Sequence, residues 1–224
     1  MNEEKKAEDT QDKLASTEHT LFKKSISAVE THVKGNTYKK KPAHTQYRFF
    51  VNDFMEWEKG LHEIYNELWD ASEDDKLELR INSNGGMVNE GAQFYSIIKN
   101  KFNGRCTTIL DNKGYSMGAL IFSLGDERII SEYSDMMYHT YSGGVFGKSG
   151  EIESRNNHTQ KHLKQFFKDI IVGNRFLSKK EFEEMLIGKD FWFGPEEMCK
   201  RGIATHVLLN GKKITAKKYL KLVK

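Results

Sequence analysis

Gly114-Tyr115-Ser116-Met117-Gly118 follows a run with strand character and precedes Ala119 to Leu124, an apolar stretch that can begin as a helix. A serine on such a tight strand-to-helix turn is held with its hydroxyl exposed, and the helix start behind it offers unpaired N–H groups that favour an anion. The flanking glycines let backbone and substrate approach closely. This spacing suits nucleophilic attack by Ser116 on an acyl carbon, and taken alone it fits an ordinary turn equally well. In a second run, Ile81-Asn82-Ser83-Asn84-Gly85-Gly86, a strand ends in two glycines and a helix opens. The backbone there can supply an oxyanion donor, and again the segment by itself also reads as a strand-to-helix turn.

Rival chemistry has less support. His158 and His162 are four apart on a predicted helix, which is metal-ligand spacing, but no acidic residue lies between them as a metalloprotease requires, and a polar helix face is the reading. His206 reads as a surface residue, and Trp57, Trp69 and Trp192 read as packing. Cys106 and Cys199 form neither a short pair nor a cluster, which argues against a disulfide framework and a zinc site. No metal or cofactor is expected.

The elements that must position these residues form an α/β pattern. Tyr47 to Val51 reads as a strand. Phe54, Trp57, Leu61, Ile64 and Leu68 recur at helical steps, and Leu77, Leu79 and Ile81 alternate as in a strand. Strand, helix, strand implies a right-handed crossover. A helix carrying Val88, Ala92, Tyr95 and Ile98 and a strand from Cys106 to Leu110 repeat the unit. Leu163, Phe166, Phe167, Ile170 and Ile171 form a helical stripe behind the polar stretch Glu151 to Lys161, so that helix begins wet and ends buried. Ser178 to Glu181 fits a capping box and Pro195 fits a helix first turn, which puts the loop around Asp190 between helices.

The 224 residues, 38% hydrophobic and 30% charged, suit one domain with a real core. The expected division is an N-terminal arm over 1–46, a core over 47–210 and a basic tail over 211–224. The arm reads as flexible, with Leu21, Phe22, Ile26 and Val29 spaced for one short amphipathic helix. Beyond Glu197 no acidic residue remains, yet the net charge of +3 is too small to point to nucleic acid. No apolar run nears the ~20 residues of a membrane span, and Met1 to Thr20 lacks a secretory pattern, so the expected compartment is the cytoplasm.

The run Leu79 to Gly86, together with Tyr115-Ser116-Met117-Gly118-Ala119, Met137-Tyr138-His139 and Asp190-Phe191-Trp192-Phe193-Gly194-Pro195-Glu196-Glu197, resembles the ClpP family, the proteolytic subunit of Clp proteases. Coverage runs from about Tyr47 to Leu208, and separated motifs in one order are far more specific than any one of them. The resemblance implies a ClpP/crotonase-like spiral of repeated β-β-α and βαβ units with a protruding handle helix. It implies a serine endopeptidase with Ser116 as nucleophile, His139 as general base and Asp190 orienting that base, and with the backbone N–H groups of Gly86 and Met117 as oxyanion donors. It also implies heptameric rings stacked in pairs, an AAA+ unfoldase partner and peptide or unfolded protein substrates, with the stripe Leu163 to Ile171 as the face where opposing rings pack.

Two departures stand out. Asn84 occupies the place of the family's proline before the double glycine, and the sequence after His139, Thr140-Tyr141-Ser142-Gly143-Gly144, differs from the commonest family pattern. Residues 1–46 are longer than the family's N-terminal region and unlike it. The alternatives are a phage-type capsid-maturation protease of the same clan, a crotonase-fold acyl-CoA enzyme and an inactive structural subunit. An esterase of the α/β-hydrolase type is disfavoured because its partners follow in the order Ser, acid, His.

Overall fold

The computed structural model describes residues 21–26, 29–33, 37–41, 43–54 and 61–223. Four strands come first: β1 (Leu21–Ile26), β2 (Val29–Val33), β3 (Thr37–Lys41) and β4 (His44–Val51). Helix α1 (Leu61–Trp69), strand β5 (Lys76–Ser83), helix α2 (Val88–Lys101) and strand β6 (Cys106–Tyr115) follow, leading into helix α3 (Met117–Phe122). Next come β7 (Glu127–Ser131), β8 (Asp135–Tyr138), the long helix α4 (Ser149–Ile171) and α5 (Lys179–Leu186). The chain ends with β9 (Phe191–Phe193), α6 (Pro195–Lys200), β10 (His206–Leu209), β11 (Lys212–Thr215) and α7 (Ala216–Leu222).

One nine-stranded sheet runs in the order β1-β4-β5-β6-β7-β10-β11, while β8 branches from β6 and carries β9 on its far side; β2 and β3 pair separately. From β4 through β5 and β6 to β7 the pairs are parallel, as crossover connections require. The alternation expected for β5 is present: Leu77, Leu79 and Ile81 are fully buried, whereas Glu78 and Arg80 lie on the other face. There Arg48 Nε donates to Glu78 Oε1 at 2.6 Å and Arg80 Nε to Asp111 Oδ2 at 3.0 Å, which fixes neighbouring strands across that face. On the buried face Phe94 of α2 meets Phe49 of β4 edge-on at 5.3 Å and stacks on Tyr65 of α1 at 5.4 Å. The architecture is α/β with a mostly parallel sheet, as expected.

Several expectations change. Leu21, Phe22 and Ile26 belong to a strand and not to a helix, because β1 pairs antiparallel with β4 from Leu21↔Phe49 to Ile26↔His44. Part of the 1–46 arm is therefore integral to the sheet, and the folded unit begins before Tyr47. Residues 1–20 and Trp57 lie outside the described residues. The polar start of α4 is exposed and its end is buried, as its composition requires, but the stripe itself serves the chain's own core. Leu163, Phe167, Ile170 and Ile171 are buried within the protein, and Phe166 packs on Tyr95 at 5.1 Å. That stripe is largely taken up by the chain's own core, while the half of α4 ahead of Leu163 is mostly exposed.

The capping box Ser178/Glu181 and Pro195 at a helix start are present, but a short strand, β9, separates Asp190 from α6. His206 is half-buried, with Nδ1 3.0 Å from Thr205 Oγ1 and 3.3 Å from Glu127 Oε1, and so is more than a surface residue. Among the described residues, no helix is long and apolar enough to cross a membrane.

Candidate active site

Ser116 is set by the junction of β6 and α3. It has φ 55° and ψ −121°, a region that costs a non-glycine residue roughly 1–3 kcal/mol. The strain is held on both sides: the Ser116 N–H donates to the Met137 carbonyl at 2.9 Å, and the Ser116 carbonyl accepts from Leu120 N at 3.2 Å. The turn lifts the side chain out of the strand, and Met117 becomes the first helical residue, whose N–H has no acceptor within its own helix.

His139 and Asp190 reach this place through the sheet branch. β8 pairs parallel with β6, Tyr115 opposite Met137, so the strand carrying Ser116 and the strand leading to His139 end side by side. β9 then pairs antiparallel with β8, Met136↔Phe193, Met137↔Trp192 and Tyr138↔Phe191. One further step of that register sets Asp190 across from His139. The outer face braces the three strands: Tyr115 Oη donates to Asp135 Oδ2 at 3.0 Å and the Tyr115 ring meets Trp192 edge-on at 5.2 Å. Behind them Tyr138 is fully buried against Ser123, and burial pushes its phenol well above the ordinary value.

The glycine run closes the site from the other side. Gly85 and Gly86 have φ of 109° and 128°, and a Cβ on Gly85 would stand 2.6 Å from the Ser116 Cβ. Only glycine permits that approach. Phe54 N donates to the Gly85 carbonyl at 2.6 Å and Met87 N to the Phe54 carbonyl at 2.6 Å. All described peptides are trans, and the C=O and N–H of a trans peptide point to opposite sides, so the Gly86 N–H is directed away from Phe54.

A cavity of about 60 Å³ results, lined by Ser116, His139, Gly86 and Met117 together with Val88, Leu120, Tyr141, Ser142 and Phe167. It shares Gly86, Val88, Tyr141 and Ser142 with a larger groove of about 410 Å³ that runs between the start of α2, the 141–145 segment and the face of α4. Ser116, His139, Gly86 and Met117 thus line one cavity beside a larger groove. Asp190 does not line the cavity and is exposed. Among the described residues, Ser116, His139 and Asp190 make no hydrogen bonds to one another. The reason is positional: His139 and Asp190 each stand one residue beyond a paired strand, where the ladder sets the backbone but not the side-chain rotamer.

Sequence reasoning named the runs that hold Ser83, Tyr141 and Ser142 but missed Asp53 and Phe167 as parts of this region. The two-residue gap between β4 and Phe54 carries no periodic signal, and Phe167 was assigned to a ring contact. His158 and His162 stack face to face at 6.1 Å on the exposed part of α4, and among the described residues no three His, Cys, Asp or Glu gather as a metal site.

A family model described as Clp protease matches residues 57–211. The chain is 32% identical to the ATP-dependent Clp protease proteolytic subunit 2 of Chlamydia pneumoniae over 149 residues, 63% of this chain and 70% of that protein. It is 30% identical to the subunit of the same name from Chlamydia trachomatis serovar D, over 61% of this chain and 66% of that protein. It is also 30% identical to proteolytic subunit 1 of Chlamydia felis, over 63% of this chain and 70% of that protein.

Proposed function

The chain belongs to the Clp protease family, a family of serine peptidases, and from that membership we propose that it hydrolyses peptide bonds through Ser116, His139 and Asp190. The observation that supports the reading is the shared cavity, lined by the strained Ser116, by His139 and by Gly86 and Met117. A serine hydroxyl is a poor nucleophile until a base takes its proton. His139 accepts that proton as Ser116 Oγ attacks the substrate carbonyl, then returns it to the leaving amine as the acyl-enzyme forms; water repeats the sequence to release the acid. Asp190 orients the imidazole and stabilises its cationic form. The Gly86 and Met117 N–H groups receive the oxyanion, each worth roughly 2.7–4 kcal/mol in comparable sites.

The hydrogen bonds among the three side chains form when substrate fills the cavity, as catalytic contacts often tighten only in the complex. The groove beside the cavity takes the peptide in extended form. The relatives' names speak of an ATP-dependent protease subunit, which supports assembly and an AAA+ unfoldase partner; a chamber of homo-oligomeric heptameric rings in the cytoplasm belongs to the same proposal. A crotonase-type acyl-CoA enzyme has no use for a serine and a histidine in one cavity. Labelling with a fluorophosphonate followed by peptide mapping tests the reading: modification of Ser116, absent in Ser116→Ala, is expected, and modification elsewhere overturns it.

A further inference from the structure

Asp53 stands between the end of β4 and Phe54, half-buried, and reaches across to the glycine run. Its Oδ1 accepts the Asn84 N–H at 2.6 Å and the Ser83 hydroxyl at 3.3 Å, and its Oδ2 accepts from Asn84 Nδ2 at 3.0 Å. Ser83 Oγ, fully buried, accepts in turn from the Gly85 N–H at 3.0 Å. Both carboxylate oxygens therefore grip the one residue that precedes Gly85 and Gly86.

We propose that Asp53 is a positioning residue for the Gly85–Gly86 peptide, holding the oxyanion donor in place through Asn84. This rests on the peptidase reading, in which the Gly86 N–H meets the oxyanion. The physical need is plain: two successive glycines with positive φ have no side chains to fix them, and the peptide between them can rotate at little cost. Rotation would turn the Gly86 N–H out of the cavity and bring the Gly85 carbonyl in, replacing attraction for the oxyanion with repulsion. Phe54 holds the middle of that peptide through its backbone, and Asp53, the residue before it, holds its entrance. A two-residue segment thus fixes the run at both points. Charge-assisted bonds to a carboxylate are roughly twice as strong as neutral ones, which suits a clamp on an exposed turn. The clamp also depends on the residue at 84, because a proline there would have no N–H to give.

The test compares the wild type with Asp53→Ala, Asn84→Ala and the double variant in the full chain. The measurements are peptide-amide turnover, inhibition by a peptide boronate that forms a tetrahedral adduct on serine, assembled size and thermal midpoint. Asp53→Ala is expected to lower kcat about ten- to a hundredfold, less than the roughly 10²–10³ of a lost oxyanion donor, with KM unchanged. Boronate affinity should fall in parallel, while size and midpoint hold. Asn84→Ala keeps the backbone arm and should lose less, and the double variant should be no worse than Asp53→Ala, since both act on one contact. Unchanged kcat and boronate affinity in Asp53→Ala, a change confined to KM, or additive losses in the double variant overturn the proposal. If Asp53→Ala fails to assemble, Asp53→Asn, which keeps an acceptor for the Asn84 N–H, should still show a several-fold fall in kcat and boronate affinity, and no fall overturns the clamp. A wild type that is labelled away from Ser116 and ignores the boronate is a failure of the peptidase reading instead.

Discussion

At Ser116 the backbone carries a cost that the rest of the site recovers. The φ of 55° is held by the bond to the Met137 carbonyl on one side and the first turn of α3 on the other, so the hydroxyl is presented without a side-chain tether. Removing the hydroxyl leaves this frame intact, and Ser116→Ala is expected to abolish peptidase activity, by a factor on the order of 10⁶ in kcat, with assembly unchanged. His139→Ala should lose about as much and Asp190→Asn on the order of 10⁴, and no double variant should fall below Ser116→Ala. Steady-state kinetics on one peptide substrate measures all of these, and additive losses would show that the partners are wrongly chosen. Ser116 and the glycine run were legible in the sequence because a tight turn needs glycine at fixed offsets. His139 and Asp190 became candidates only through the family's motif order, since a lone histidine at a strand end has no spacing to mark it. Asp53 left no trace at all: its partner Asn84 is 31 residues away, and only the parallel pairing of β4 with β5 joins them.

Among the elements, the decisive one is the shortest. β9 has three residues, too few to show alternation, yet its ladder with β8 is what sets Asp190 across from His139. The expectation of a loop around Asp190 between helices holds for Asp190 itself but missed the strand that follows it for that reason, whereas the helices on either side announced themselves by a capping box and a proline. In the structure those helices are tied together around β9. Arg201, just past α6, donates from Nη2 to Glu181 Oε1 at 2.8 Å and from Nε to Glu197 Oε1 at 2.6 Å, and its guanidinium lies 5.2 Å from the centre of the Phe193 ring. The Arg201 hydrogen bond, helped by those from Ser178, holds the Glu181 carboxyl well below the ordinary range, at about 2. A carboxyl depressed in the folded state stabilises fully above its unfolded value near 4.5, and that contribution is lost as pH falls towards about 2. Glu181→Gln should therefore lower the thermal midpoint at pH 7, and the gap to the wild type should close progressively between about pH 4.5 and 2. A gap that stays constant over that interval would detach the Glu181–Arg201 pair from the stability of this segment.

For the whole molecule, the parallel core was legible because buried strands and amphipathic helices repeat in the sequence, while the N-terminal edge was not. Leu21, Phe22 and Ile26 fall at helical intervals by chance, and pairing with β4 decides the matter against them, while Lys23 also ties β1 to Glu67 of α1. Deleting residues 1–43 would remove the edge strand β1 and the β2–β3 pair along with anything ahead of them, so the question of whether the N-terminal region restricts access is better put to a variant lacking residues 1–20. Faster turnover of a short peptide by that variant than by the full chain is expected if the segment covers an entrance, and equal turnover excludes that role. The larger question is what the site accepts. Ser116 lines a cavity of about 60 Å³ that shares Gly86, Val88, Tyr141 and Ser142 with a groove of about 410 Å³, and the peptidase reading has the substrate enter there in extended form. A folded substrate must first unfold the segment to be cut, against a stability of typically ~5–15 kcal/mol, whereas a short peptide meets no such barrier. The protein alone is therefore expected to hydrolyse short peptides and a permanently unfolded protein, and to leave a stable folded protein of the same sequence length intact. Incubation with a stable domain and with its destabilised variant, followed by electrophoresis over time, makes the comparison, and adding an ATP-driven unfoldase of the Clp type should remove the difference. Rapid digestion of the folded domain without that partner or ATP would mean a site open to solvent, and would favour a maturation-type protease over an enclosed chamber.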